Sequence, residues 1–438
     1  MGDPAHPAVP HRPLSRRRFL AASAATGLGM TALGACGGSG TATDSSGRTV
    51  VEWWNIATTE PRKSVWAGLA RAFEARNPQV SIKIVTLENE AYKAKLTALT
   101  ASGKLPDVFH TWGGGVLRQQ VEAGLVEDLS GRTAGWSDTL LPVATEPYMV
   151  GGKAYAVPFD IGMVGFWYNK ALFRKAGLTA PPATWSGFLD AVRRLKAAGV
   201  VPLALAGKEK WPGMYYWAYL AMRTGGAGAL QEAGDRKDFG GAAFVAAGRH
   251  LAELVALQPF QRGFLGAGYS TPAGQAATVA NGRAAMELMG QWAPDVQKDA
   301  GRGLGADLGF FPFPAVDGGR GARTEVFGGG GGHAVRTGAS QAAVDFLEFF
   351  TSTASQRKLV AETAVLPVVK GVDDAVTDPN LKAVARELSG ATGFQLYLDQ
   401  AYAPAVGQQV NDSVAELIAG EAMPEEVTGA ITRTAREQ

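Results

Sequence analysis

The sequence predicts an α/β chain whose first part is a largely parallel sheet covered by helices. Between Thr49 and Thr111, strand-like and helix-like segments alternate in the order β-α-β-α-β, and cap or turn residues separate them. Removing residues 1–36 from the 438 leaves about 400, a length that suits two domains or one large bilobal unit. Ten tryptophans in such a chain are many for packing alone and point to ligand capture.

The first 36 residues read as an address. Ser15-Arg16-Arg17-Arg18-Phe19-Leu20 fits the twin-arginine export pattern. The run from Phe19 to Ala35 is too short and too rich in small residues for a membrane span. It ends in Leu33-Gly34-Ala35-Cys36, which resembles the lipobox of bacterial lipoproteins. In that reading Cys36 becomes the new N-terminus and carries the acyl chains that stable anchoring requires. It is the only cysteine, so no intramolecular disulfide is possible. Residues 37–48 are Gly/Ser/Thr-rich and read as a flexible tether. The leader holds four Arg and one Asp, +3, so the formal +2 of the whole chain becomes −1 without it. That balance gives no reason to expect nucleic acid or an anionic surface as partner.

Thr49 to Trp54 reads as a strand ending at Asn55. Thr59 with Pro61 signals a helix start, and Val65, Trp66, Leu69 and Phe73 share one face. Val80, Ile82 and Ile84 alternate as a second strand. Tyr92, Leu96 and Leu99 mark a helix stopped by Gly103, and Leu105–His110 is a third strand running into Thr111-Trp112-Gly113-Gly114-Gly115. Ligands collect at the carboxyl ends of such strands. Asn55, Glu88 and the Trp112–Gly115 loop are therefore expected on one rim. Tyr155–Pro158 followed by Phe159-Asp160 reads as a crossing to a second lobe. A helix through Phe188, Val192 and Leu195, a strand at Val201–Leu205 and a loop holding Lys208, Trp211 and Tyr215 follow. Thr271-Pro272 reads as a helix cap, and the strand Ala284–Met289 delivers Gly290-Gln291-Trp292 to its carboxyl end. Phe310–Pro314 reads as a second crossing, and the C-terminal part is helical.

The ordered motifs resemble the family 1 extracellular solute-binding proteins of ABC importers, the group that contains maltose-binding protein. They include Phe73-Glu74-Ala75-Arg76-Asn77-Pro78, Ala101–Val108, Tyr155–Pro158 and Trp167–Phe173. Pro181–Trp185, Asn281–Met286 with Gly290-Gln291-Trp292, and Leu366-Pro367-Val368 complete the order. The resemblance implies a two-lobed periplasmic-binding-protein-like (type II) fold with a hinge and a central ligand cleft. Residues 49–159 with 312–352 would form the N-terminal lobe, and 160–311 with 353–438 the C-terminal lobe. It also implies a monomer that captures a sugar, a di- or oligosaccharide, by closing its lobes and delivers it to a membrane permease served by a cytoplasmic ATPase.

A sugar offers apolar C–H faces ringed by hydroxyls, so its site needs aromatic plates and planar amides or carboxylates. Trp292 lies past a strand end and matches the tryptophan that stacks on sugar in the family's Gly-x-Trp motif; Gln291 beside it can bond hydroxyls. Trp112 and Gly113 sit in a loop whose small residues admit a ligand to the backbone. Asp160 can grip hydroxyls at the crossing. The resemblance adds Trp211 and Tyr215 as second-lobe contacts, and Tyr397, Asp399 and Gln400 near the C-terminus. Trp66 and Trp185 are expected in the core, and Trp53 or Trp54 must face inward because neighbours on a strand point to opposite faces.

Other classes find less support. Phe327–His333 lacks the Lys-Ser/Thr of a phosphate loop, and no Gly-x-Ser-x-Gly elbow is present. His110, His250 and His333 show no metal-ligand spacing, and no cofactor is expected. An exported glycosidase would need two paired carboxylates that no motif selects. A polyamine binder of the same fold should have a carboxylate-rich rim, and a binder of a phosphorylated polyol a basic one. The rims read here as aromatic and mostly neutral, which favours a neutral sugar.

Overall fold

The computed structural model describes residues 42–226 and 228–438; Arg16, Arg17 and Cys36 lie outside the described residues. The first sheet has the strand order Val80–Thr86, Thr49–Asn55, Val108–Thr111, Gly332–Val335, Ala156–Pro158. Its first three strands are parallel, joined by the helices Arg62–Arg76 and Asn89–Ser102, as the β-α-β-α-β pattern requires. Gly103 ends the second of these helices in the left-handed region, at φ 67°. The first helix begins one residue after Pro61 and has no side-chain cap, so Thr59 does not act as one.

Both Trp53 and Trp54 are buried, because helices cover both faces of this sheet. Trp53 stacks on Trp66 at 5.3 Å and meets Phe346 and Phe350 edge-on. Trp54 faces the opposite side, packed with Tyr92 and Phe109.

The second sheet has the order Leu308–Phe311, Gly165–Asn169, Ala284–Met289, Val201–Leu203. Phe310–Pro314 is therefore not the second crossing: Leu308–Phe311 pairs antiparallel with Gly165–Asn169 as an edge strand, and Phe313 is buried. The return is made by Glu325–Gly329, which pairs with Gly162–Met163 of the first crossing and with Gly393–Leu396. The two crossings thus run side by side and make the hinge. A Cβ on Gly328 would lie 2.3 Å from the Gly162 carbonyl oxygen, so this close approach requires glycine. Beyond residue 352 the helix Thr353–Glu362 still packs on Arg62–Arg76, and Leu140 bridges Val369.

The stretch holding Trp211 and Tyr215 is a helix, Trp211–Gly225, and not a loop; its residues 211–223 are all buried. Its apolar, aromatic surface packs in the second lobe, with Tyr219 on Phe313 at 4.6 Å. Thr271-Pro272 precedes a turn, and the next helix, Gln275–Ala280, starts only after Gly274.

Beneath the hinge, His110 and His333 pair in register across neighbouring strands, and both are at most 2 % exposed. Neither ring nitrogen of His110, nor Nε2 of His333, has a hydrogen-bond partner among the described residues. Burial pushes His333 down to about 3. Burial, then the charges of His333, Arg62 and Lys93, hold His110 well below the usual range. In the unfolded chain both return to about 6.5. Below that pH the unfolded state binds protons that the folded state refuses. Each histidine therefore costs up to about 1.4 kcal/mol of stability per pH unit until its folded value is reached. His333→Phe, whose ring suits the stack on Phe159 at 4.8 Å, is expected to remove about 2–3 kcal/mol of stability loss between about pH 7 and about pH 4.5. Urea melts at the two pH values measure it; identical acid losses in the two proteins would reject the assignment.

Candidate ligand-binding cleft

The carboxyl ends of the strands and the two hinge crossings border one cleft, with an empty volume of about 1080 Å³ that includes open solvent. The first lobe supplies Arg62, Glu88, Lys93, His110 and Trp112. The hinge supplies Asp160 with Gly330 and Gly331. The second-lobe side supplies Glu209, Trp211, Tyr215, Tyr269, Gln291 and Trp292. Asp295, Tyr397, Asp399 and Gln400 complete the wall.

Trp292 is held where a strand end is locked. The buried Trp167 indole donates from Nε1 to the carbonyls of Met289 (3.1 Å) and Gly290 (3.0 Å), which fixes the backbone just ahead of it. A Cβ on Gly290 would lie 2.1 Å from the Trp292 ring, so glycine lets the half-buried indole fold back over the strand end. The ring meets Tyr397 edge-on at 6.2 Å, and Tyr397 stacks on Tyr215 at 5.7 Å. Trp211 adds a further face, 5.5 Å from Tyr215 and 5.7 Å from Tyr269. On the opposite lobe the half-buried Trp112 packs edge-on against His110 at 4.4 Å, and Lys93 Nζ lies 5.4 Å from its ring centroid.

Polar groups are interleaved with these faces. Gln291 donates from Nε2 to Asp160 Oδ2 at 3.3 Å, and the Gly331 amide donates to Asp160 Oδ1. Burial raises the Asp160 pKa, and the charge of Arg62 and these bonds oppose the rise. Asp295 is likewise raised by burial and pulled back by Arg62, while its Oδ2 accepts from the Ala364 amide at 2.6 Å. Lys93 Nζ donates to Asp399 Oδ2 at 3.0 Å, the same oxygen that takes a bond from Gln400 Nε2. A second bond, Glu60 N–H to Asp299 Oδ1 at 3.3 Å, also joins the lobes across the mouth. Trp211 Nε1, Tyr397 Oη, Gln291 Oε1 and one Arg62 guanidinium nitrogen are buried without a partner among the described residues. Such groups are costly unless a ligand meets them.

Of the residues singled out in the sequence, the cleft gathers Trp292, Gln291, Trp112, Trp211, Tyr215, Asp160, Glu88, Tyr397, Asp399 and Gln400. Two fall elsewhere. Asn55 is 1 % exposed; its Oδ1 accepts from the Ala57 amide and the Thr86 hydroxyl, both at 3.1 Å, so it closes the turn after its strand. Gly113 packs against Pro147, whose carbonyl oxygen would sit 2.3 Å from a Cβ there; its glycine serves packing rather than ligand approach. Glu88 lies at the exposed rim and spends one carboxylate oxygen capping the helix at Glu90 N, 2.9 Å away.

The expectation of mostly neutral rims does not survive. Glu88, Asp160, Glu209, Asp295 and Asp399 line the cleft against only Arg62 and Lys93. Arg62, Lys93, Glu209 and Tyr269 were missed. Arg62 opens the helix after the first strand, and the strand-end argument that selected Asn55 extends to such a position. Lys93, Glu209 and Tyr269 carry no local signal, since packing between distant segments turns them inward. No group of three or more His, Cys, Asp or Glu able to hold a metal occurs among the described residues, and no described helix is long and apolar enough to cross a membrane.

A family model described as bacterial extracellular solute-binding protein matches residues 57–357. An uncharacterized ABC transporter extracellular-binding protein of Pyrococcus horikoshii is 27% identical over 313 residues, 66% of this chain and 67% of its own length. The multiple sugar-binding protein of Streptococcus mutans is 27% identical over 208 residues, 47% of this chain and 48% of its own. A solved structure from work on xylan utilization by the thermophilic bacterium Caldanaerobius polysaccharolyticus superposes with a TM-score of 0.81 at 30% identity, covering 88% of this chain and 99% of that one.

Proposed function

The chain belongs to the bacterial extracellular solute-binding proteins, and from that premise we propose that it captures a di- or oligosaccharide in the cleft by lobe closure and delivers it to the permease of an ABC importer. The observation that carries this reading is the pairing of aromatic faces from both lobes with buried, unpartnered hydrogen-bonding atoms in one cleft. Aromatic faces suit the apolar C–H faces of sugar rings, and the unpartnered donors and acceptors suit hydroxyls. The names of its relatives, among them a multiple sugar-binding protein, support the same reading. Trp292 and Trp112 would stack on rings from opposite lobes, with Gln291, Asp160, Tyr397 and Gln400 bonding hydroxyls. Residues 49–159 and the return strand would move against the second lobe about the paired crossings.

Calorimetry against a panel of mono- and oligosaccharides tests the reading, with a dissociation constant in the micromolar range or below expected for at least one. Failure of the whole panel would reject it, and release of shortened products would replace a carrier with an enzyme.

In the same reading the protein acts as a monomer, is exported through Arg16-Arg17 and is held at the outer face of the membrane by a lipid on Cys36. The Cys36→Ala variant is expected to appear in the culture medium, and the parent to stay with the membrane fraction and take up radiolabelled palmitate. Equal partition of the two proteins would remove the anchor.

A further inference from the structure

We propose that the second-lobe wall of the cleft forms a subsite for a protonated amine, so that the saccharide this protein prefers carries an amino group. The inference rests on the sugar-carrier reading and narrows it.

Glu209 closes a short 3-10 turn, Gly207–Glu209, immediately ahead of the buried helix that begins at Trp211. Its Oε1 accepts from the Tyr269 amide at 2.9 Å, and the carboxylate has no ion pair among the described residues. The cations of the cleft make no ion pair with Glu209 among the described residues, although the charge of Lys93 reaches it. Lys93 pairs with Asp399 at 3.0 Å and lies 3.8 Å from Glu90. Arg62 makes no ion pair among the described residues, and its charge acts on Asp160, Asp295 and Tyr269. Around Glu209, Trp211, Tyr215 and Tyr269 turn their rings to the same cavity, with successive centroids 5.5 and 5.7 Å apart. A carboxylate beside aromatic faces is the chemistry that holds an organic cation, because ring quadrupole and charge attract the same group.

A second, independent observation points to a ligand at this wall. Trp211 is 7 % exposed, yet its Nε1 has no partner among the described residues, whereas the Tyr269 hydroxyl faces the Trp292 indole. The Trp211 indole can donate to a sugar hydroxyl beside an ammonium held by Glu209.

The charges facing Glu209 favour an amine over a plain hydroxyl. Glu88 and Glu90, from the opposite lobe, repel it; Lys208, on its own turn, and Lys93, across the cleft, attract it. Burial, eased by the Tyr269 amide and reinforced by those two carboxylates, pushes Glu209 up to about 7. A hydroxyl would give Glu209 one hydrogen bond and leave the repulsion between the lobes in place. An ammonium removes the repulsion and favours the ionised carboxylate. An anionic sugar such as a uronic acid would add to the repulsion.

The test is calorimetry of the full chain at pH 7 with the β-1,4-linked glucosamine disaccharide and its N-acetylated counterpart, which differ in charge at the same linkage. The aminated disaccharide is expected to bind at least about tenfold tighter. That advantage should shrink in high salt. In Glu209→Gln the ratio of the two affinities should fall to within about threefold. The salt dependence of the parent protein's preference decides the matter even if that variant folds poorly. Equal affinity for the two disaccharides, or a ratio unchanged by Glu209→Gln, overturns the amine subsite and leaves the sugar carrier standing. So does binding of other neutral saccharides with neither disaccharide. If spermidine binds and no saccharide does, both readings fall.

Discussion

Replacing Trp292 with alanine is expected to weaken binding of the best saccharide of the panel by about a hundredfold, with little change in stability. The indole is half-buried, presented beyond a strand end that Trp167 holds by two bonds to the carbonyls of Met289 and Gly290. A preorganised aromatic plate loses little entropy when a ring stacks on it, and its removal from a desolvated site costs about 2–4 kcal/mol. About 2.7 kcal/mol is a hundredfold in Kd. Trp292→Phe, which keeps a smaller plate, should lose about tenfold. Calorimetry gives the affinities and a urea melt the stability. A loss below about threefold in the alanine variant would remove Trp292 from the binding surface.

Replacing Arg223 with methionine should lower the stability of the protein by about 4 kcal/mol, the largest loss expected of any single change here. Arg223 is fully buried and lies over the ring of Tyr219, 5.2 Å from its centroid. Its guanidinium donates to four carbonyls: Glu325 at 2.9 Å, Pro314 and Arg323 at 3.2 Å, and Phe313 at 3.3 Å. Three of those carbonyls belong to the segment between the edge strand of the second sheet and the return crossing, and the fourth, Glu325, opens that crossing. Methionine fills much of the same volume but donates nothing, so buried acceptors lose their partners while packing is nearly kept. Lysine should recover only part of the loss, because a point charge cannot reach four acceptors in one plane. Denaturant unfolding measures both; a loss under about 1 kcal/mol for methionine would mean that the segment is held by other contacts.

The parts of the fold that were legible in the sequence are those written in short-range pattern. The strand Thr49–Asn55 and the short apolar strand Ala284–Met289 have the limits read from the sequence. Gly103 stops its helix in the left-handed conformation that glycine favours. Misreadings came where a local signal was met by a non-local partner. Trp211-Pro212-Gly213 reads as a loop, yet a proline is tolerated in a first helical turn, and the buried surface beyond it makes a helix. Phe310–Pro314 reads as a crossing because it is apolar and ends in proline, but its pairing with Gly165–Asn169 places it in the second sheet. Asn55 stands at a strand end as the rim argument requires, but its own turn consumes its amide oxygen.

By itself the sequence determined the α/β class, the order of the elements, the family and the placing of Trp292 and Gln291 beyond a strand end. These follow from periodicity, glycine and proline positions and motif order, all of which act over a few residues at a time. Only the tertiary structure decided that the two crossings pair with each other, and that Lys93 meets Asp399 across 306 positions of the chain. It alone set Glu209 in the cleft wall beside Tyr269 and made the cleft acidic rather than neutral. Periodicity says which face of an element is apolar; which charges share one cavity depends on how distant segments pack, and no local pattern carries that.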